Sequence, residues 1–279
     1  MKIAIQGEQG SNSHMAAMQM FAKEAAFVDV IACAASAEVI GKVVRREVHG
    51  AVLPIENSLH GSVAEHYDLL LAQPVQVTKE SSMRVRHNAI VSPGVRFEEI
   101  RSVISHPVAL SQCRRWLSDH PEIEPTPFYD TAGSVKHIME NGLRDVAAIA
   151  PALAAQVYGA DVLIGGIEDH AENYTRFHWV VREGTTSEPA DGVANKMSVA
   201  FSVEHRPGTL VSALESLARL GADLTKIESR PVPGRPWEYV FYIDVRFHAA
   251  AVADGVVSAL KGECAMVKEL GRYVEAHPG

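Results

Sequence analysis

Short apolar runs that end in polar clusters recur along the first two-thirds of the chain, each followed by a helical pattern. Ile3 to Gln6 runs into Gly7-Glu8-Gln9-Gly10-Ser11, with a helix from about Ser13. Gly50 to Pro54 runs into Glu56-Asn57-Ser58, with a helix through Val63 to Leu71. Val103 to Ser105 runs into His106-Pro107, with a helix carrying Leu110, Cys113 and Leu117. Val146 to Ala150 repeats the unit. Strands alternating with helices predict an α/β fold with parallel sheets covered on their faces. In such sheets ligands bind beyond the carboxyl ends of the strands, which is where these clusters fall.

The pattern stops at residues 183–196, rich in Gly, Ser, Thr and Asp and without apolar periodicity, which reads as a linker. It then restarts with a different order. Met197 to Val203 alternates as a half-buried strand, and Leu210, Ala213, Leu214, Leu217 and Leu220 form a helical stripe ended by Gly221. Leu224 to Ser229 and Tyr239 to Val245 read as paired strands, Val252 to Leu260 as a helix and Ala265 to Tyr273 as a strand. That βαββαβ order is ferredoxin-like.

Bulk chemistry excludes several classes. The chain has 279 residues and a formal charge of -8, with no dense basic block, so nucleic acid is not an expected partner. No apolar run is long enough to span a bilayer, and the N-terminus lacks the apolar stretch of a secretory signal. The three cysteines, Cys33, Cys113 and Cys264, are far apart, which excludes a disulfide framework and fits a reducing, cytoplasmic compartment. No HExxH spacing or Asp/His cluster predicts a metal.

Each polar cluster has two local readings. The Gly7–Ser11 turn opens a helix and is either an anion cradle or an ordinary tight turn. Asn57 or Ser58 is a helix cap or a polar ligand group, and Ser105-His106 caps the helix at Pro107 or supplies an acid or base. Cys113 alone reads as a buried small residue. Arg176, entering the apolar run Trp179-Val180-Val181, is a carboxylate clamp or a surface arginine on an edge strand.

Together, GEQGSNSHMAA at 7–17, GAVLPIENSLHGSV at 50–63, SHPVALSQC at 105–113, DTA at 130–132, AAIAPALAAQVYG at 147–159 and IEDHAENYTRF at 167–177 resemble the prephenate dehydratase family. The region holding Arg206-Pro207-Gly208-Thr209-Leu210, Lys226-Ile227-Glu228-Ser229-Arg230-Pro231 and Pro236-Trp237-Glu238-Tyr239 is similar to the ACT regulatory domain attached to these enzymes. The chain departs from the family pattern at Glu8 or Gln9, Asn12, Pro151 and His205.

The resemblance implies a two-lobed, periplasmic-binding-protein-like catalytic domain over 1–182. Lobe one would be about 1–78 and 160–182, and lobe two about 79–159, with crossings near Thr78–Val85 and Tyr158–Leu163. The ACT domain would span 197–275. The implied reaction strips carbon dioxide and water from prephenate to give phenylpyruvate; aromatisation drives it, so no cofactor is expected. Thr175 would donate a hydrogen bond to the departing hydroxyl, Arg176 raise the positive potential and Phe177 exclude water. Glu56 is the rival proton donor, if burial beside a dianion raises its pKa. Asn57, Ser58, Ser105, Gln112 and Thr131 would position substrate. Gly208, Thr209, Leu210, Glu228 and Ser229 would bind L-phenylalanine as feedback effector, in a homodimer or homotetramer paired through ACT domains. Arogenate dehydratase and a non-catalytic amino-acid sensor are the alternatives.

Overall fold

The computed structural model describes residues 1–185, 192–232, 234 and 238–277. Lobe one begins with β1 (Lys2–Gln6), α1 (Asn12–Met20), β2 (Asp29–Cys33), α2 (Ser36–Val44), β3 (Gly50–Asn57), the two-residue β4 (Gly61–Ser62), α3 (Ala64–Ala72) and β5 (Val75–Arg84). Lobe two follows as β6 (Asn88–Val91), β7 (Ser102–Ser105), α4 (Pro107–Ser111), α5 (Arg114–Asp119), β8 (Glu124–Pro127), α6 (Thr131–Glu140), β9 (Val146–Ala150), α7 (Ala152–Tyr158) and β10 (Asp161–Gly165). The chain then returns to lobe one as β11 (Tyr174–Arg182). The terminal domain comprises β12 (Lys196–Ser202), α8 (Thr209–Arg219), β13 (Asp223–Pro231), β14 (Tyr239–Arg246), α9 (Ala250–Glu263) and β15 (Met266–Tyr273). That is the expected ferredoxin-like order.

Sheet membership moves the lobe boundaries. All of β5 belongs to the lobe-one sheet and β10 to the lobe-two sheet. The crossings therefore fall after Arg84, at the end of the expected Thr78–Val85 segment, and after Gly165, just past the expected Tyr158–Leu163, while the lobe limits of about 78 and 160 move to 84 and 165. The two crossing segments bond to each other: Ile167 N donates to His87 O at 3.0 Å and Val85 N to Asn173 O at 2.7 Å. Nor are the sheets purely parallel. β1 pairs parallel with β2 and β3, and β7 with β8 and β9. The strand that first enters lobe two and the one that returns to lobe one are both reversed: β6 runs antiparallel to β9 and β10, and β11 antiparallel to β3 and β5.

The helix expected from Pro107 breaks in two. Leu110 and Cys113 are buried as anticipated, but the chain kinks at Gln112. Asp169, on the return crossing, accepts from Arg114 N at 3.0 Å and Arg115 N at 2.9 Å, supplying the cap that starts α5.

The lobe-one sheet carries a core on each face. Ile3, Ile5, Val52, Phe177, Trp179 and Val181 pack against Ala16 and Ala17 of α1. The opposite residues, Ala51, Leu53, Ile55 and Val180, share one core with α2 and α3 and with Ala200, Tyr242, Leu270 and Tyr273 of the terminal domain. The sheet itself is also continuous, in the order β13-β14-β12-β15-β5-β11-β3-β1-β2. β15 and β5 meet at Gly271 and Val77. A Cβ on Gly271 would stand 2.0 Å from the Val77 carbonyl oxygen, and its φ is +155°, so only glycine allows this approach. The segment that reads as a linker thus joins domains that are fused by core and sheet. Six of its residues, 186–191, lie outside the described residues, as do Pro236 and Trp237.

Candidate active site

A cavity of about 730 Å³ lies between the lobes. Its walls include Gln6, Ser11, Asn57, His60, Gln112 and Thr175. Strand register places the central pair. Thr175 on β11 stands opposite Asn57 on β3, and Arg176 opposite Glu56. Successive side chains alternate faces. Thr175, Phe177 and Asn57 therefore line the cleft, while Arg176 and Glu56 point through the sheet to its other side.

Asn57 is oriented by its own loop. Its Oδ1 accepts from Leu59 N and His60 N, both at 3.0 Å. Its Nδ2 must then face the other way, where it donates to Thr175 Oγ1 at 2.9 Å and to Asn173 Oδ1 at 2.7 Å. A hydroxyl that accepts such a bond keeps its own proton for another acceptor, and the bond polarises it. Thr175 is nearly buried, at 8 % exposure, so this polarisation acts in a low-dielectric setting.

Two contacts close the cleft from opposite sides. On one, Glu8 accepts from Tyr129 Oη at 3.1 Å and pairs with Lys136 Nζ at 3.3 Å. Gly10 sits so close to α7 that a Cβ would lie 2.6 Å from Ala154 Cα, at a φ of +86°. The Gly7–Ser11 turn therefore serves as an interlobe seat. On the other, Gln112 Nε2 approaches His60 Nδ1 at 3.0 Å, and Gln112 Oε1 approaches His87 Nε2 at 2.6 Å. His60, His87, Tyr129 and Asp130 line the cleft without having been given a role from sequence, beside Glu8 of the turn read as a possible anion cradle. Burial raises the Asp130 carboxyl pKa, against the N–H groups that bond it.

Of the residues expected at the site, Asn57, Gln112, Thr131, Thr175 and Phe177 line the cleft. Ser105 and Ser58 do not. Ser105 Oγ donates to Ile149 O at 2.6 Å and is fully buried, tying β7 to β9. Ser58 Oγ donates to Glu172 O at 3.3 Å and accepts from Tyr174 N at 2.9 Å, tying the hairpin to the return crossing. Cys113 is fully buried, and burial pushes its thiol pKa up, which suits a core residue.

Arg176 is neither a surface arginine nor a wall of the cleft. It donates to Glu56 at 2.9 Å, Glu80 at 2.8 Å and Asp244 at 2.5 Å. Asp244 belongs to the terminal domain, as does Lys196, which pairs with Glu80 at 3.0 Å. Burial works against the Arg176 charge, but Asp244 and Glu80 outweigh it and keep the group protonated. Glu56 pairs also with Lys226 at 3.2 Å, which removes it as the cleft's proton donor. Burial alone would raise Glu80, yet its carboxyl is held well below the usual range by the His178 hydrogen bond and the Arg176 and Lys196 charges. His178 is itself held neutral by burial, so we take its contribution as a hydrogen bond and the two cations as the charge partners.

Burial also lowers the pKa of His66 and His87, despite hydrogen bonds to Pro54 O and Gln112 that raise it. Together with His178 these imidazoles bind a proton less readily when folded than when unfolded, where the ordinary value is near 6.5. Below that pH the unfolded state binds more protons, so stability falls as pH falls. Each histidine contributes a slope of up to ~1.4 kcal/mol per pH unit, until its lowered folded pKa is reached. Glu80, depressed when folded, adds a further loss below about pH 4.5. Thermal melts are expected to show a falling Tm from pH 7.5 to 5.5, with a shallower fall in His178→Gln. A flat Tm over that range would contradict the assignment.

In the terminal domain, Gly208, Thr209 and Leu210 line a cavity of about 170 Å³ together with Val203, His205 and Phe241. Gly208 takes the left-handed conformation, φ 89°, and Thr209 Oγ1 donates to Glu204 O at 2.8 Å. Glu228 and Ser229 lie apart from it. Glu228 accepts from Ser62 Oγ at 2.9 Å. Ser229 is exposed on the outer face of β13, the edge strand.

The chain thus combines a two-lobed α/β cleft, with the Thr175 hydroxyl in its wall, and a fused ferredoxin-like domain. The chain belongs to the prephenate dehydratase family, whose model matches residues 3–185. It is 35% identical over 98% of its length to the Arabidopsis thaliana chloroplastic arogenate dehydratase/prephenate dehydratase 2, covering 72% of that protein. The Arthrobacter aurescens prephenate dehydratase in complex with L-Phe superposes with a TM-score of 0.88 at 30% identity, over 99% of this chain and 90% of that one. GqqA, a quorum quenching acylase of a novel type, superposes with a TM-score of 0.87 at 31% identity, over 98% of each chain.

Proposed function

We propose that this chain is a prephenate dehydratase with Thr175 as the hydrogen-bond donor at the leaving hydroxyl. The observation that carries the reading is the Asn57–Thr175 bond at the cleft. Asn57 occupies one lone pair of Oγ1, which leaves the Thr175 proton for another acceptor. As the ring carboxylate leaves as carbon dioxide, its bonding electrons aromatise the ring and expel the hydroxyl. The Thr175 hydrogen bond stabilises charge growing on that oxygen, and His60, His106 and Asp130 are cleft-lining groups able to carry its proton. Among the described residues no lysine or arginine lines the cleft. Recognition of the dianion is therefore assigned to the amide of Gln112, the hydroxyl of Thr131 and the positive N-terminal end of α1, where Ser11, Asn12 and Ser13 face the cavity. Phe177, 1 % exposed, closes the floor against water.

The assay is phenylpyruvate formation followed by its ultraviolet absorption, with and without L-phenylalanine. Turnover of prephenate, reduced by phenylalanine, is the expected result. The relative from Arabidopsis carries both activities in its name, so kcat/KM is measured for arogenate in parallel. Preference for arogenate would move the assignment to that substrate, and turnover of neither would leave the amino-acid sensor. The likeness to GqqA adds an acylase assay on the same preparation. We assign the effector to the cavity at Gly208, Thr209 and Leu210. The homodimer or homotetramer is assigned to edge-to-edge pairing of terminal domains along β13, where Ile227 is 43 % exposed; light scattering tests it. The three free cysteines support a cytoplasmic setting. No described helix is long and apolar enough to cross a membrane.

A further inference from the structure

β13 inverts the usual alternation of an amphipathic strand. Its charged residues Lys226, Glu228 and Arg230 are partly buried against lobe one, while Thr225, Ile227 and Ser229 face outward. Lys226 Nζ donates to Ser62 Oγ at 2.6 Å and pairs with Glu56 at 3.2 Å. It also lies 5.6 Å above the Tyr67 ring. Ser62 in turn donates to Glu228 at 2.9 Å, and Arg230 pairs with Asp68 at 2.8 Å.

Ser62 is one foot of a hairpin, because β4 pairs with β3 through Glu56↔Ser62 and Asn57↔Gly61. The other foot is Asn57, which orients Thr175. The tip is His60, which reaches Gln112 across the cleft. His60, Gly61 and Ser62 all line the cavity. The hairpin thus touches the reacting hydroxyl, the opposite lobe and the terminal domain within six residues, Asn57–Ser62. Lys226 Nζ bridges Ser62 Oγ and the Glu56 carboxylate, and Ser62 Oγ passes the contact on to Glu228. Without it, Ser62 loses a donor that ties it to the terminal domain, while Glu56 stays paired with Arg176.

We propose that Lys226 is a positioning residue of the dehydratase site, supplied by the terminal domain, which fixes the Asn57–Ser62 hairpin and through it the Asn57–Thr175 bond. Displacement of a positioned group by about an ångström costs on the order of 10²-fold in rate. The inference rests on the dehydratase reading for its kinetic part only.

The test compares Lys226→Met and Lys226→Arg in the full chain, by steady-state kinetics and by amide hydrogen exchange. In Lys226→Met, kcat is expected to fall ~10–100-fold with a smaller change in KM. Exchange is expected to quicken in residues 58–63, where Leu59 N and His60 N are held by Asn57, and to stay unchanged in β6 to β10. Lys226→Arg keeps the charge and is expected to recover most of kcat. Wild-type kcat and wild-type hairpin protection in Lys226→Met would overturn the proposal. So would lost kcat with an undisturbed hairpin, or exchange quickened throughout both lobes. If Lys226→Met does not fold, Ser62→Ala takes its place under the same criteria. The exchange data stand even if prephenate is not turned over, so failure of this inference is separable from failure of the functional reading.

Discussion

Thr175→Ala is expected to lower kcat on prephenate by ~10²–10⁴-fold while leaving the melting curve close to that of the parent. The side chain removed is small, and the Asn57 amide keeps two other acceptors, Asn173 Oδ1 and Tyr174 O. Little stability is therefore at stake. Thr175→Ser keeps the hydroxyl and is expected to retain most of the activity, with some loss because serine lacks the methyl group that restricts the Thr175 rotamer. Near-parental kcat in Thr175→Ala would remove the residue from its role. A large loss in both Ala and Ser variants would instead indicate that packing at this position governs the rate.

Arg176→Met is expected to have the opposite profile, a loss of stability of about 3–5 kcal/mol. The substitution leaves Glu56, Glu80 and Asp244 facing one another without their shared cation, with Glu80 and Asp244 almost wholly buried. Lysine is not an adequate replacement, because one ammonium cannot reproduce the fork that reaches three carboxylates. Adding Asp244→Asn removes one orphaned charge and is expected to restore part of the loss, a coupling that a double-mutant cycle in urea measures. If Arg176→Met left stability unchanged and raised KM alone, Arg176 would belong to the substrate pocket after all.

The contrast between these neighbours shows how far the sequence could be read. The motif Thr175-Arg176-Phe177 was legible as a site, and its strand period already implied that its first and third residues share a face. That rule, applied to the whole motif, would have separated Arg176 from the cleft. Glu56 and Asn57 divide in the same way. The partners of Arg176 were not legible, because Glu56, Glu80 and Asp244 come from three distant segments. β13 was legible as a strand but not in its orientation, because its buried side is the charged one and hydrophobic alternation points the other way. His60 carries no local signal at all, since its partners Gln112 and Ser111 lie on the other lobe. The lobe limits shift by a few residues for a related reason: the strands that enter lobe two and return to lobe one, β6 and β11, join their sheets antiparallel, which a repeating βα pattern does not anticipate.

The junction at Gly271 and Val77 has a bearing on any attempt to free the catalytic lobes from feedback by truncation. β5 is an interior strand only because β15 lies beside it. Cutting the chain near residue 195 would bare its backbone donors and acceptors, along with the apolar side chains of Val75 and Val77. An exposed strand margin of that kind is a template for association with other chains. The terminal domain is therefore also a protective margin for the catalytic sheet. Desensitised variants are better sought by point substitution at the effector cavity proposed around Gly208 than by excision.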